Sequence, residues 1–268
     1  MPYCAEKISP KLQNCRVGSR LLCLDSVDST NTEAKRQAGL GAPEGLAVLS
    51  DHQTAGRGRS GRSFHSPAGH GLYLSILLRP CLPPEDVVNF TAWTAVAVCD
   101  GIQATCGVRP RIKWTNDLVL SGKKLGGILT ELSIDQSTGK LDYLVVGIGI
   151  NVGHRQSDFP EELRSMATSL SLALGRPVDR EELAAQLLLA LDRMYAQFPS
   201  DKQAYLNQYR QDCLTVGNPV RLFTPSSSRD AFATGIDEEF RLLVEYPDGT
   251  TQAVSTGEVS VRGMYGYV

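Results

Sequence analysis

What this chain has little of narrows its function before any motif is read. No apolar run approaches the roughly 18 residues that cross a bilayer, and the first twenty residues hold no continuous apolar stretch of the signal-peptide kind. A soluble, non-exported, cytoplasmic protein with no membrane partner is expected. Charge of one sign is lacking too. The 27 Lys and Arg nearly balance 29 Asp and Glu, for a formal net charge of -2, so no overall field is present to grip long nucleic acid, and no DNA partner is expected. The seven cysteines, at 4, 15, 23, 81, 99, 106 and 213, are odd in number and form no C-x-x-C pair. That spacing suits buried or incidental thiols in a reducing compartment much better than a disulfide framework or a zinc site. Histidines number four, and His65 and His70 have no acidic or cysteine companion at ligand spacing, so no structural metal is expected. Neither a G-x-x-x-x-G-K-S/T loop nor a G-x-S-x-G elbow occurs, which disfavours an ordinary P-loop ATPase and an α/β-hydrolase.

What is there is concentrated in one stretch, Gly56-Arg57-Gly58-Arg59-Ser60-Gly61-Arg62. Its glycines let backbone approach a ligand closely, and its guanidiniums offer forked donors to phosphate and carboxylate oxygens. By itself the loop reads at least as well as a solvated basic turn or an RGG-like nucleic-acid tether. Apolar strands at residues 46–49 and 72–78 flank it, so the arginines belong at a sheet edge or end. Upstream, a strand at 21–24 leads into Asp28-Ser29-Thr30-Asn31. Thr30 with Glu33 forms a capping box that predicts a helix over 30–37, stopping at Gly39. A helix N-terminus carrying hydroxyls is also a place to hold a small polar ligand.

Downstream, Pro83-Pro84-Glu85-Asp86 predicts the start of a long helix ending near Cys106, with Trp93 in the core. Residues 111–117 read as a strand whose end delivers Lys113, Asn116 and Asp117. Ser121-Gly122-Lys123-Lys124 reads as a hairpin turn, normally a solvated tip, yet Gly126-Gly127 follows in a strand and marks a close approach. The strand at 144–152 ends in Gly147-Ile148-Gly149-Ile150-Asn151, which lacks the glycine spacing of a dinucleotide fingerprint. Leu183, Leu187, Leu191, Met194 and Phe198 form the core stripe of a helix over 180–198, and a second helix covers 202–212. After Gly217-Asn218-Pro219 the pattern changes to short alternating segments with a turn at Pro247-Asp248-Gly249, which implies a small all-β barrel. The expected divisions are a lead at 1–20, either irregular or an arm packed on the domain and too short for a helix-turn-helix domain, a catalytic domain at 21–216 and the barrel at 217–268.

Taken together, Asp28 to Asn31, Gln53-Thr54 with the arginine loop, Lys113-Trp114-Thr115-Asn116-Asp117, Lys124-Leu125-Gly126-Gly127-Ile128 and Gly147 to Asn151 resemble the biotin-protein ligases. Five motifs in the family order are far more specific than any one of them, and Gly257-Glu258-Val259-Ser260 with Arg262 matches the family's terminal domain. The resemblance implies an α+β fold, a mixed-sheet biotin/lipoate ligase-like catalytic domain followed by a small SH3-like β-barrel. It implies an ATP-dependent, AMP-forming ligase that makes biotinyl-5′-AMP from biotin and MgATP. The biotinyl group then passes to a lysine ε-amine of a biotin carboxyl carrier protein or domain. Magnesium would travel with ATP, and the protein would be a monomer or homodimer. Longer members carry an N-terminal winged helix-turn-helix that represses transcription, a role not expected here.

Carried over residue by residue, Lys124 is the catalytic lysine that bridges the biotin carboxylate and the α-phosphate, with Lys123 the alternative to test, and Arg59 is the second catalytic cation. Ser29, Thr30, Asn31, Gln53, Gly56, Arg57 through its backbone, Lys124 and Gly127 would meet biotin. Arg59, Arg62, Phe64, Lys113, Asn116, Asn151 and Arg262 would meet ATP or the adenylate, and Asp117 is the candidate magnesium ligand. Phe64 stands where tryptophan is usual, and Thr115 where proline is common. The chemistry needs such residues, since a carboxylate attacking an anionic phosphate must be offset by placed cations. The product is a mixed anhydride, which a glycine loop that orders over it would shield from water. The closest rival is a lipoate-protein ligase or octanoyltransferase of the same fold. A nucleic-acid-binding module using Arg57, Arg59 and Arg62 is the rival from another class.

Overall fold

The computed structural model describes residues 3–224, 227–255 and 260–263. Its leading segment packs on the domain as an arm, the second of the two expected forms, and part of it is helical. Helix α1 (Ala5–Ile8) runs into a 3-10 turn at Ser9–Lys11, and Tyr3, Ile8, Leu12 and Val17 are buried in the main core. The Tyr3 hydroxyl donates to the Gly71 carbonyl at 2.8 Å. A single helical turn is too short for periodicity to reveal, so only its tertiary contacts identify it.

Strand β1 (Arg20–Val27), helix α2 (Thr30–Gly39) and strand β2 (Leu46–Gln53) form a parallel β-α-β unit. The expected capping box does not form. Ser29 is the N-cap and makes no side-chain capping bond; the Thr30 hydroxyl donates instead to Gln53 Oε1 at 3.1 Å, and the Glu33 carboxylate accepts from Arg36 and Gln37. Tertiary partners outcompete the local motif.

After the arginine loop come β3 (Gly71–Leu78) and helix α3 (Phe90–Cys106). The proline-rich lead makes a separate 3-10 turn at Pro84–Val87 rather than the first turn of α3. Trp93 stacks on Tyr205 at 4.1 Å between ring centroids and meets Phe198 edge-on at 5.0 Å; truncating it to alanine would cost about 3–5 kcal/mol. Strands β4 (Arg111–Lys113) and β5 (Asp117–Leu120) are two strands, not one, because Trp114 to Asn116 turn the chain back so that Lys113 pairs with Asp117. Ser121 (φ 52°) and Gly122 (φ 72°) make the next turn, a left-handed pair suited to a two-residue hairpin. Lys123 and Lys124 therefore begin β6 (Lys123–Ile134) instead of occupying the turn, and β7 (Leu141–Asn151) follows.

Helix α4 (Leu170–Leu174) precedes α5 (Arg180–Gln197), whose N-cap Asp179 accepts from Glu181 and Glu182 amides, and α6 (Lys202–Asp212). Strands β8 (Pro219–Phe223), β9 (Ser228–Ile236), β10 (Leu242–Glu245), β11 (Thr251–Val254) and β12 (Ser260–Gly263) complete the described chain.

The seven-stranded mixed sheet has the order β1-β2-β3-β7-β6-β5-β4, and the five-stranded antiparallel sheet the order β11-β10-β9-β8-β12. The class is α+β, as expected. One face of the larger sheet, including Leu72, Leu74, Ile76 and Leu78 of β3 and Leu144, Val146 and Ile148 of β7, packs into the main core with α3, α5 and α6. On the other face α2 covers only part, burying Ala34 and Ala38 against Leu46, Val48, Leu77 and Val145. The smaller sheet is tied to the larger where Trp114 Nε1 donates to the Phe240 carbonyl at 3.0 Å.

Candidate active site

The part of the sheet that α2 leaves uncovered is the floor of a cleft. Strand alternation lines up residues across it in rows. One row runs Tyr73, Gly149, Gly127, Asp117, Lys113 across five adjacent strands, and the next runs Ser75, Gly147, Leu129. Two glycines make the floor low enough to use. A Cβ on Gly147 would lie 2.1 Å from Asn31 Oδ1, and one on Gly149 would lie 2.7 Å from the Phe64 ring. The N-terminus of α2 and the aromatic end of the arginine loop therefore rest directly on β7.

Lys124 reaches this floor through a bulge. The β5–β6 register pairs Leu118 with Gly126 but Val119 with Lys124, leaving Leu125 as the extra residue. In an unbulged ladder Leu125 would pair with Val119 and Lys124 would face the core; with the bulge, Lys124 shares a face with Gly127 and Asp117. Its Nζ donates to Asp117 Oδ1 at 2.6 Å. Its main chain is held on the far side as well, with its amide donating to the Met166 carbonyl at 2.7 Å and its carbonyl accepting from Thr168 at 2.9 Å. Lys123 does not line the cleft.

The arginine loop folds as a small hairpin over the opening. Phe64 donates its amide to the Gly56 carbonyl at 2.9 Å, Gly58 to Arg62 at 2.7 Å, and Arg57 is bridged to Ser63. Arg59 starts the 3-10 turn at the tip, where Ser60 takes the left-handed φ of 54°. Arg59 Nη1 donates to Asn116 Oδ1 at 2.9 Å, and the Asn116 amide donates in turn to the Ile128 carbonyl. Burial is the main influence on the Arg59 guanidinium and lowers its pKa; the Asp117 carboxylate opposes this and Arg62 adds to it. A guanidinium stays protonated in any case, so the consequence is a poorly hydrated cation ready to gain from an anionic ligand.

At the other end the groups are neutral. Gln53 Oε1 accepts from the Thr30 amide at 2.8 Å and Gln53 Nε2 donates to Ser66 Oγ at 2.9 Å. The Ser75 hydroxyl lies 2.8 Å from Thr30 Oγ1 and 2.6 Å from Asn31 Oδ1. This buried network fixes Thr30 and Asn31, and with Ser29 beside them, all 3–4% exposed, they form a patch of donors and acceptors.

The cleft encloses about 1060 Å³, counting its solvent-open mouth. Of the residues expected from sequence at the biotin end, Ser29, Thr30, Asn31, Gln53, Arg57, Lys124 and Gly127 line it. At the phosphate end Arg59, Arg62, Phe64, Lys113, Asn116 and Asp117 line it. Gly56 does not, although a Cβ there would meet the Phe64 carbonyl at 2.4 Å, so it closes the loop's neck. Asn151 is also outside the lining. It is buried and donates to the Thr168 carbonyl at 3.0 Å, behind the segment that pins Lys124. The side chain of Arg262, and Gly257 to Val259, lie outside the described residues.

Ser75, Glu131 and Ser66 bond to cleft residues and are not among the site residues expected from the motifs. Ser75 carried a signal, being the one hydroxyl inside the buried Leu72–Leu78 run apart from Tyr73. Glu131 carried none beyond being a charge on a strand. The fold also gives His70 the acidic neighbour its spacing lacked, Nδ1 lying 3.8 Å from Asp158 Oδ2, while His65 Nε2 is 3.0 Å from the main-chain carbonyl of the same residue. Among the described residues no group of three or more His, Cys, Asp or Glu is placed to hold a metal ion. Asp117 is the one carboxylate lining the cleft among them. That donor set suits magnesium arriving on a nucleotide, whose shell comes mostly from phosphate and water.

Five cations, Arg57, Arg59, Arg62, Lys113 and Lys124, against one carboxylate, beside a neutral hydroxyl and amide patch, define an enzyme site for a small ligand with a neutral polar head next to phosphate. Residues 23–151 match the biotin/lipoate A/B protein ligase family. The chain belongs to that family. It is 37% identical over 240 residues to the bifunctional ligase/repressor BirA of Bacillus spizizenii, covering 89% of this chain and 73% of the relative. It is 32% identical over 244 residues to the biotin–(acetyl-CoA-carboxylase) ligase of Paracoccus denitrificans, covering 90% and 100%. Its fold is similar to that of biotin protein ligase from Aquifex aeolicus in complex with biotin and ATP, with a TM-score of 0.79 and 30% identity over 91% of this chain and 99% of the other.

Proposed function

We propose that the cleft activates biotin with MgATP to biotinyl-5′-AMP and then passes the biotinyl group to a lysine of a biotin carboxyl carrier protein. The observation that carries this reading is the position of Lys124, aimed by the β6 bulge to the junction between the neutral patch and the arginine loop. A ligand carboxylate and an α-phosphate oxygen repel each other there, and one ammonium can hold both. Arg59 and Arg62 take the spread phosphate charge, while Lys113 and Asn116 face the nucleotide. Asp117 orients Lys124 and, with ATP bound, is the group that would ligate magnesium; the ion would then offset phosphate charge.

Biotin is favoured over lipoate by the neutral patch. A ureido ring brings donors and acceptors that can exchange hydrogen bonds with Ser29, Thr30, Asn31 and Gln53, whereas a dithiolane has none to offer this polar patch. The same patch has no need of a polynucleotide. The finer features belong to this reading as well: a catalytic domain over 21–216, an SH3-like barrel at 217–268, and a cytoplasmic location. No helix among the described residues is long and apolar enough to cross a membrane.

Mass spectrometry of the enzyme after incubation with biotin and MgATP tests the proposal. Bound biotinyl-5′-AMP, followed by biotinylation of an added carrier domain, is the expected result. An acyl-adenylate formed from lipoate or octanoate and not from biotin would overturn it.

A further inference from the structure

Glu131 lies outside the cleft, yet its carboxylate joins helix α2 and the arginine loop to strand β6. Lys35 Nζ of α2 donates to Oε1 at 2.5 Å, Asn31 Nδ2 donates to Oε2 at 2.8 Å, and Arg57 Nη1 of the loop lies 3.2 Å from Oε1. In register it stands opposite Val145, one row beyond the Ser75, Gly147, Leu129 row of the floor. Burial would push the carboxyl pKa up, but hydrogen bonds from Lys35 and Asn31 and the charges of Lys35 and Arg57 outweigh it, so the group stays ionised.

We infer that Glu131 is a positioning residue that sets how tightly the arginine loop closes on the activated intermediate, by gripping Arg57 from beside the cleft. The inference rests on the adenylate-forming reading above. Among the described residues, arginines of the loop are held by Arg57 to Glu131 and by Arg59 to Asn116. Arg59 and Asn116 both line the cleft, so their bond must be exchanged when phosphate arrives. Glu131 does not line it, and its grip on Arg57 can persist with ligand bound. Arg57 is also bridged through its backbone to Ser63 at the neck of the loop. A tether at the neck moves Arg59 and Arg62 together.

The competing account is that Glu131 only secures α2 through Lys35 and Asn31. Glu131→Gln separates the two, because it keeps an acceptor for Asn31 and the same shape while losing the charge that holds Arg57. Dissociation of radiolabelled biotinyl-5′-AMP, chased with unlabelled adenylate, is expected to accelerate roughly 5- to 20-fold, with the KM for biotin rising and single-turnover adenylation changing less than about twofold. Arg57→Gln should give a similar acceleration, and the double variant should add little to either. Lys35→Met, which removes the other cation from the same carboxylate, should leave dissociation within about twofold of wild type. Thermal melting of each variant reports whether α2 has loosened. Equal dissociation from wild type and Glu131→Gln, additive effects of the two single variants, or an acceleration by Lys35→Met as large as that by Glu131→Gln would each overturn the inference. Wild-type protein that forms no adenylate from biotin would overturn the functional reading, and this inference with it; retention that is normal in wild type and unchanged in the variants sinks the role of Glu131 alone.

Discussion

Lys124 Nζ and Asp117 Oδ1 lie 2.6 Å apart across neighbouring strands, and they meet because one extra residue, Leu125, turns the Lys124 side chain onto the cleft face. The pair is partly exposed, 31% and 23% for the two side chains, so its contribution is to geometry more than to stability. Asp117→Asn keeps the shape and removes the charge that aims the ammonium. Single-turnover formation of the adenylate should fall on the order of 10-fold while biotin binding, followed by calorimetry, changes little.

Arg59 should not tolerate lysine. Its planar fork donates to Asn116 from a partly buried position, and an ammonium at the same place offers neither the plane nor the reach. Arg59→Lys is expected to raise the KM for ATP about 10-fold or more and leave the melting temperature close to wild type. Steady-state kinetics at saturating biotin measure it.

Gly147→Ala tests the floor beneath the neutral patch. The new Cβ would sit 2.1 Å from Asn31 Oδ1, and Asn31 is bonded to Leu129, Glu131 and Ser75. Displacing it should weaken biotin binding at least about 10-fold, with ATP binding altered much less, and cost about 1–3 kcal/mol of stability. Equal losses for both ligands in calorimetry would contradict a floor that serves the biotin end.

Acid should destabilise the protein through His154. This ring is 1% exposed, and neither of its nitrogens has a hydrogen-bond partner among the described residues. Burial first, then the neighbouring His70 and His65, push its pKa down to about 4; Asp158 opposes them and Arg180 adds to the lowering. The folded value lies below the unfolded value of about 6.5, so between the two the unfolded chain binds more protons and stability rises with pH. The contribution is full above about pH 6.5 and is lost as pH falls toward 4, by about 2 kcal/mol at pH 5 as an upper figure. Denaturant melts at pH 7.5 and 5 should converge in His154→Phe.

Much of the site was legible because its chemistry is carried by short, dense motifs. The arginine loop, Ser29 to Asn31, Lys113 to Asp117 and Lys124 come from separate parts of the chain, and the fold brings them to one cleft. The helices of 180–197 and 202–212 were legible too, since their apolar stripes repeat at helical period. What stayed hidden depends on register. The bulge at Leu125 has no local signature, so Lys123 and Lys124 read as a turn until strand pairing separates them. Glu131, a charged residue on a strand, becomes informative only when α2 and the loop arrive beside it. Asn151 illustrates the converse: its motif pointed to the nucleotide, while strand geometry directs its amide to Thr168, behind the site. The first turn of α2 differs from its capping-box pattern for a related reason, because the Thr30 hydroxyl donates to Gln53 of β2 rather than capping its own helix.

Biotin-dependent ATP–pyrophosphate exchange, compared in wild type, Lys124→Ala and Lys123→Ala, bears most directly on the reaction and on the residue that drives it. Exchange should require biotin, fall on the order of 100-fold or more in Lys124→Ala, and survive in Lys123→Ala. Exchange stimulated by lipoate instead of biotin, or equal in wild type and Lys124→Ala, would contradict the central claim.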